Sequence, residues 1–217
     1  MSATLSPLAG LAIAYVLGSI PTAYLAGRLL RGIDLREHGS GNLGATNVYR
    51  VLGAPAAAVV FLVDALKGAL PVLLLPGWTH ASHLDYWAYA YGLAAILGHV
   101  RPVFLLWKGG GKGVATASGV FFALAPRAML AAFVTFVVVL ATTGYVSLGS
   151  LTGALVLSIA LLVIHGVRSP LFVVGAVVAA FVFWSHRANI GRLRRGEEHR
   201  FGRRGKPAPT TSSGDAL

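Results

Sequence analysis

The stretch Gly39-Ser40-Gly41-Asn42-Leu43-Gly44-Ala45-Thr46-Asn47, followed by Arg50, concentrates groups that suit a phosphate. Glycine reaches backbone conformations closed to other residues, and these let neighbouring N–H groups converge on an anion. Gly39, Gly41 and Gly44 supply that freedom, while Ser40, Asn42, Thr46 and Asn47 supply neutral hydrogen-bond partners. Arg50 adds a planar, permanently charged fork, and a helix starting nearby would add its N-terminal dipole. The plainer alternative is a flexible membrane loop, against which stands the density of small polar residues around one arginine. The stretch also fits G-x-G-x-x-G with Asp64 downstream, the dinucleotide pattern. That pattern needs a preceding strand, and Asp64 here falls inside an apolar run.

Gly109-Gly110-Gly111-Lys112-Gly113-Val114-Ala115-Thr116 repeats the theme: mobile backbone, one cation, then a helix start. It is not a nucleotide P-loop, because Gly113 stands where a metal-binding Ser or Thr belongs. Gly110, Gly111 and Gly113 read as backbone phosphate contacts and Lys112 as a point charge for the same anion; the structural alternative is a lysine snorkelling from a helix end. A third cluster, His186-Arg187-Ala188-Asn189-Ile190-Gly191-Arg192-Leu193 with Glu197 beyond, puts His186, Asn189 and Leu193 on one helical face. His186 is suited to moving a proton and Asn189 to orienting a phosphate or hydroxyl, though a surface anchor has the same composition. Tyr145-Val146-Ser147-Leu148-Gly149-Ser150 adds two hydroxyls, either functional or at a helix junction. Asp64 and Lys67, three apart, fit a buried structural pair; His99 and Arg101 are supporting candidates. His80 and Asp85 match the H-x-x-x-x-D spacing of another acyltransferase class but fall on the far side from the Gly-rich segments.

These segments are held by apolar runs. Of 217 residues 56% are hydrophobic and 12% charged, about half the charge of a soluble domain. Several runs approach the roughly 20 residues that cross a bilayer. The runs read as spans over 5–30, 54–76, 85–107, 148–164 and 170–186, with 114–145 too long for one crossing and broken at Pro126 into a short or re-entrant fourth element and a fifth span. The expected class is therefore an all-α polytopic integral membrane protein of about seven transmembrane helices. A five-span version with partly re-entrant fourth to sixth elements is the alternative. The net charge is +11, and eight of the 18 Lys and Arg lie between Arg187 and Lys206. That bias places the C-terminus in the cytoplasm, the N-terminus outside and both Gly-rich segments inside. It fits anionic headgroups and membrane lipid rather than nucleic acid. Residues 1–202 form one domain, with a disordered Pro/Ser/Thr-rich tail over 203–217. The absence of cysteine excludes disulfides and thiol catalysis, and the first apolar run is too long for a cleaved signal.

Taken in order, G-S-G-N-x-G-A-T-N-x-x-R, D-x-x-K-G, G-G-K-G-V-A-T and H-R-x-N-I-x-R-L-x-x-G-x-E resemble the acyl-phosphate:glycerol-3-phosphate acyltransferase family, PlsY. The resemblance runs from Gly18-Ser19-Ile20-Pro21 through Glu197. It implies a seven-helix inner-membrane enzyme that acylates the sn-1 hydroxyl of glycerol 3-phosphate from acyl phosphate at the cytoplasmic face. The products would be lysophosphatidic acid and phosphate. It implies no cofactor, no metal, and neither acyl-carrier protein nor acyl-CoA as direct donor, and the expected working unit is a monomer. By motif, the catalytic positions are Ser40, Arg50, Lys112, His186 and Asn189, and Ser147 or Ser150 joins the substrate-phosphate-binding set, with Ser150 preferred and Gly149 replacing an expected serine. Direct attack by the acceptor hydroxyl fits better than a covalent acyl-Ser40, because no Ser-His-Asp set is in view. A transporter or binding protein for a phosphorylated metabolite is the competing class; against it, the polar motifs gather at one face and no internal repeat is evident.

Overall fold

A computed structural model describes residues 5–79 and 82–202. Among these residues every regular element is helical. The first apolar run is broken by Pro21 into α1 (Pro7–Gly18) and α2 (Thr22–Arg31). The Gly-rich segment that follows contains an eight-residue amphipathic helix, α3 (Ala45–Leu52), which carries Arg50 in its last turn. Then come α4 (Ala54–Thr79), α5 (Leu84–Val100), α6 (Val114–Leu124), α7 (Pro126–Thr143), α8 (Val146–His165), α9 (Pro170–Ser185) and α10 (Arg187–Arg194). The break expected at Pro126 is present: Ala125 leaves helical geometry, and Pro126 opens α7 at a position where its missing N–H costs nothing.

Five elements are long and apolar enough to cross a membrane, the α1–α2 pair counting as one. A sixth is added if α9 and α10, bent by 58°, form one broken span. The expected seventh, α6, is an 11-residue apolar helix, about 16 Å long against a hydrocarbon core of about 30 Å. It is too short to cross alone, which matches the expected short fourth element and leaves five or six elements long enough to span. The α5 span also ends earlier than its apolar run: Val103–Leu105 is a 3-10 turn, and Leu106 and Trp107 take left-handed conformations. Of His80 and Asp85, His80 lies outside the described residues.

Large apolar side chains point outward around the bundle, Leu8, Leu29 and Val163 among the most exposed. Such a belt would aggregate in water and is at ease in lipid. With little hydrophobic drive between helices in lipid, close packing must hold them, and small residues permit it. A Cβ on Gly18 would run into the Ala95 carbonyl, and one on Gly98 into the Tyr15 carbonyl, so α1 and α5 meet backbone to backbone. Gly68 faces the Thr116 carbonyl and Gly119 the Ala65 carbonyl, which locks α6 onto α4 in the same reciprocal way.

Asp64 is buried on α4, and its Oδ1 accepts hydrogen bonds from Thr22 Oγ1 at 2.7 Å and from Lys67 Nζ at 2.7 Å. Lys67 also donates to the Ile20 carbonyl at 2.8 Å, one of the groups freed where α1 breaks into α2. The expected pair therefore exists, and it ties α4 to that break.

The ends of α5 and α9, the starts of α4, α6 and α8, and α3 converge on one end of the bundle. Phe136, seven residues before the end of α7, lines the same space as Val114 at the start of α6.

Candidate active site

The converging ends enclose a polar cavity of about 1230 Å³. It is lined by Gly39, Ser40, Gly41, Asn42, Gly44, Thr46 and Asn47 of the first Gly-rich segment and by Arg50 of α3. Lys112 and Gly113 line it from the second segment, Ser147 and Ser150 from α8, and His186 and Asn189 from the α9–α10 bend. Every residue expected at the site faces this one space except Gly110 and Gly111, which sit behind its wall.

Those two glycines serve packing. A Cβ on Gly110 would strike the carbonyls of His99 and Val100, and one on Gly111 would strike the His99 ring. The Gly111 N–H donates to the His99 carbonyl at 3.2 Å. Small residues here let the loop lie flat on the end of α5, so that Lys112 is carried into the cavity. Gly113 follows with φ 80°, a left-handed turn that starts α6. His99 reaches toward Asp64, with Nδ1 3.7 Å from its carboxylate, which joins the Lys112 loop to the buried α4 pair.

The first segment is shaped by Asn47. Its amide donates to the carbonyls of Leu35 at 3.2 Å and His38 at 3.0 Å, while its Oδ1 accepts from the Ser40 N–H at 2.8 Å. A Cβ on Gly39 would displace that oxygen. Asn47 therefore borders the cavity with its polar atoms turned onto its own loop, holding Ser40 in place. Asn42 Nδ2 donates to the Gly110 carbonyl at 3.4 Å and so links the two Gly-rich segments. Arg50 has no protein acceptor among the described residues.

At the centre, Lys112 Nζ donates to Asn189 Oδ1. The Asn189 amide donates in turn to Glu198 Oε1 at 2.6 Å. Ser147 Oγ reaches the same oxygen at 3.0 Å, and Arg192 Nε donates to Oε2 at 2.7 Å. Glu198 is 8% exposed. Burial alone would raise the pKa of its carboxyl, but donors from Asn189, Arg192 and Ser147 outweigh this and hold it below the usual range. The chain of donors fixes which end of Asn189 meets the lysine. Burial, with repulsion from Arg192 and Arg50, brings the Lys112 amine down to about 8 despite the opposing pull of Glu198. His186 is buried, and its Nδ1 lies 2.8 Å from the Val182 carbonyl. Facing an acceptor, Nδ1 carries the proton, which leaves Nε2 as the ring's basic atom.

Glu198 is the cavity carboxylate that reading the sequence placed one position early. Glu197 is exposed and pairs with Arg195 at 2.7 Å, outside the cavity. The spacing H-R-x-N-I-x-R-L-x-x-G-x-E, counted out from His186, does end on Glu198. The two serines differ in what they touch. Ser147 joins the carboxylate network, whereas Ser150 Oγ donates back to the Val146 carbonyl at 2.9 Å.

A narrow apolar groove of about 70 Å³ shares Phe61, Val114, Phe136 and Ser150 with the polar cavity. It runs between α4, α6, α7, α8 and α9, past Ala117, Ala132, Gly153 and Ala154 to Met129 and Leu157.

A family model described as glycerol-3-phosphate acyltransferase matches residues 8–196. The glycerol-3-phosphate acyltransferase of Trichlorobacter lovleyi is 48% identical over 93% of this chain and 99% of its own length. That of Synechococcus elongatus is 45% identical over 92% and 97%. A crystal structure of PlsY (YgiH), an integral membrane glycerol 3-phosphate acyltransferase in its glycerol 3-phosphate form, superposes with a TM-score of 0.82. It is 41% identical, over 90% of this chain and 96% of that one. The lysophosphatidic acid form gives a TM-score of 0.77 at 40% identity. With the motifs gathered on one cavity and the likeness extending over nearly the whole chain, the protein belongs to the glycerol-3-phosphate acyltransferase (PlsY) family of integral membrane enzymes.

Proposed function

We propose that the enzyme takes its acyl group from an acyl phosphate and places it on the sn-1 hydroxyl of glycerol 3-phosphate, releasing lysophosphatidic acid and inorganic phosphate. The observation that carries this reading is the junction of a cation-rich polar cavity with an apolar groove. An acyl phosphate has both characters, with its carbonyl where they meet. Its phosphate would sit against Lys112 and Asn189, and that of the acceptor against Ser40, Arg50 and the backbone of the first Gly-rich segment. PlsY structures hold glycerol 3-phosphate in one form and lysophosphatidic acid in the other, consistent with the acceptor and product.

In the reaction the acceptor oxygen attacks the carbonyl carbon and the bond from that carbon to the phosphate oxygen breaks. The hydroxyl proton passes to His186 Nε2 or to a phosphate oxygen. Phosphate is a good leaving group, so the protein's contribution is to bring the two substrates together and stabilise charge on both phosphates. Glu198 acts through Asn189 and Ser147. A covalent acyl-Ser40 is disfavoured because Ser40 has no hydrogen-bonded base among the described residues.

The test is phosphate release by purified protein from palmitoyl phosphate and glycerol 3-phosphate, with lysophosphatidic acid measured in parallel. Release should need both substrates and be lost in Lys112→Ala. Retention of turnover in His186→Ala would assign the proton to a substrate phosphate. Turnover from palmitoyl-CoA but not from palmitoyl phosphate would overturn the donor.

A further inference from the structure

The segment after α10 is not surplus chain. Residues 198–202 all line the polar cavity, although the family match ends at residue 196. Phe201 stacks on Tyr49 of α3 with ring centroids 4.1 Å apart. Its N–H donates to the Gly144 carbonyl at 2.7 Å, in the α7–α8 turn. Arg200 Nε donates to Tyr145 Oη at 3.1 Å, and its guanidinium lies over the Tyr145 ring. The segment thus crosses from the wall that carries Arg50 to the wall that carries Ser147, forming a strap over the cavity. It begins at Gly196 with φ 70° and ends at Gly202 with φ 80°. Among the described residues a Cβ on either glycine would meet nothing within 4 Å, so both ends are turns at positive φ. Between them the segment is held by the Phe201 stack, backbone hydrogen bonds from Glu197 to Arg192 and from Phe201 to Gly144, and the contacts of Glu197, Glu198 and Arg200.

The reaction gives such a cover a purpose. An activated acyl donor can react with water as readily as with an alcohol: water oxygen attacks the carbonyl carbon, the bond to phosphate breaks, phosphate leaves and a proton goes to solvent. The products are then free fatty acid and phosphate, and the donor is wasted. Excluding water from a closed site is one way to prevent this, and a cover that must admit a polar acceptor has to be able to open. We propose that the strap, closed by the Phe201–Tyr49 stack, makes the enzyme select the hydroxyl of glycerol 3-phosphate over water, so that Phe201 is a specificity-determining residue against hydrolysis. This rests on the transferase reading above but not on which activated donor is used.

The experiment measures the partition of consumed donor between lysophosphatidic acid and free fatty acid. Palmitoyl phosphate is the donor, or palmitoyl-CoA if that is what the wild type uses. A wild type that uses neither fails the transferase reading itself and overturns the proposal with it. Phe201→Ala and Tyr49→Ala should each raise the fatty-acid share severalfold, most at low glycerol 3-phosphate. Phe201→Tyr and Tyr49→Phe, which keep the stack, should restore the wild-type partition. Thermal unfolding in detergent shows whether the alanine variants are folded; should either fail to fold, Phe201→Ser provides the same loss of the stack. An unchanged partition in folded variants lacking the stack, or a rise that the aromatic replacements fail to reverse, would overturn the proposal.

Discussion

At the scale of single residues, the arrangement turns on Lys112. A lysine exposed on a loop keeps its charge well into alkaline solution, but burial and two neighbouring arginines bring this amine down to about 8. It is charged below that pH and neutral above it, and only the charged form attracts a phosphate. kcat/KM, which reports the free enzyme, should therefore fall above about pH 8, approaching tenfold per pH unit. Bound phosphate favours the cation, so the corresponding limb in kcat should lie at higher pH. Lys112→Arg should abolish the limb in kcat/KM even if turnover drops, because a guanidinium does not titrate in this range. A wild-type kcat/KM that stays flat to about pH 9.5 would contradict the placement of Lys112 at a phosphate. Which residues meet was largely legible from type and spacing: Ser40, Arg50, Lys112, His186 and Asn189 share one cavity despite lying far apart in the chain. What type alone could not reveal was how neighbours divide the work. Asn47 looks like a ligand and spends its amide on its own loop, and Gly110 and Gly111 look like a phosphate cradle and pack against α5. Adjacent Glu197 and Glu198 have the same chemistry; the motif spacing from His186 and burial in the structure both single out Glu198.

Among elements, hydropathy located the spans because a membrane helix has to be apolar over its length, whichever neighbour it packs against. It was less informative where helices change direction. α3 was hidden in a segment whose glycines suggested only loop, since an amphipathic helix of two turns adds little to a hydropathy profile. The reciprocal glycines of α4 and α6 show what fixes the short helix in place. Gly119→Leu would force a side chain into the Ala65 carbonyl, a clash that α6 can relieve only by moving off α4. Overpacking of this kind costs about 1–3 kcal/mol; a lower unfolding temperature in detergent and a loss of turnover through the displaced Lys112 loop should appear together. Undiminished stability and activity would mean that α6 is held otherwise. The groove makes a different demand on α8, whose Gly153 and Ala154 leave room along it. Ala154→Phe should fill that space and cut turnover of palmitoyl phosphate by about tenfold, roughly 1.4 kcal/mol in the barrier. Decanoyl phosphate, which needs less of the groove, should be much less affected. Equal losses for both donors would place the acyl chain elsewhere.

Over the whole molecule, the convergence of the motifs constrains how the chain enters and leaves the membrane. The cavity is lined from the starts of α4, α6 and α8 and from the end of α9. Counting the α1–α2 pair and α6, seven elements therefore alternate in direction, with Pro7 at the end remote from the cavity and α10 beside it. An odd number of such elements puts the described ends of the chain at opposite ends of the bundle even though α6 is too short to cross a bilayer unaided. The eight Lys and Arg between Arg187 and Lys206 argue that the cavity side is cytoplasmic, where a phosphorylated, water-soluble acceptor would be available. Because the chain has no cysteine, single cysteines report accessibility without background. In intact cells Ser6→Cys should react with a membrane-impermeant maleimide. Glu37→Cys and Glu197→Cys, both at exposed positions beside the cavity, should react only after the membrane is opened. Labelling of Ser6→Cys and Glu197→Cys from the same side would show that α6 and α7 form a re-entrant pair, leaving an even number of crossings. The α6–α7 corner at Pro126 would then turn back within the bilayer, and the site would still be assembled by the same helix ends.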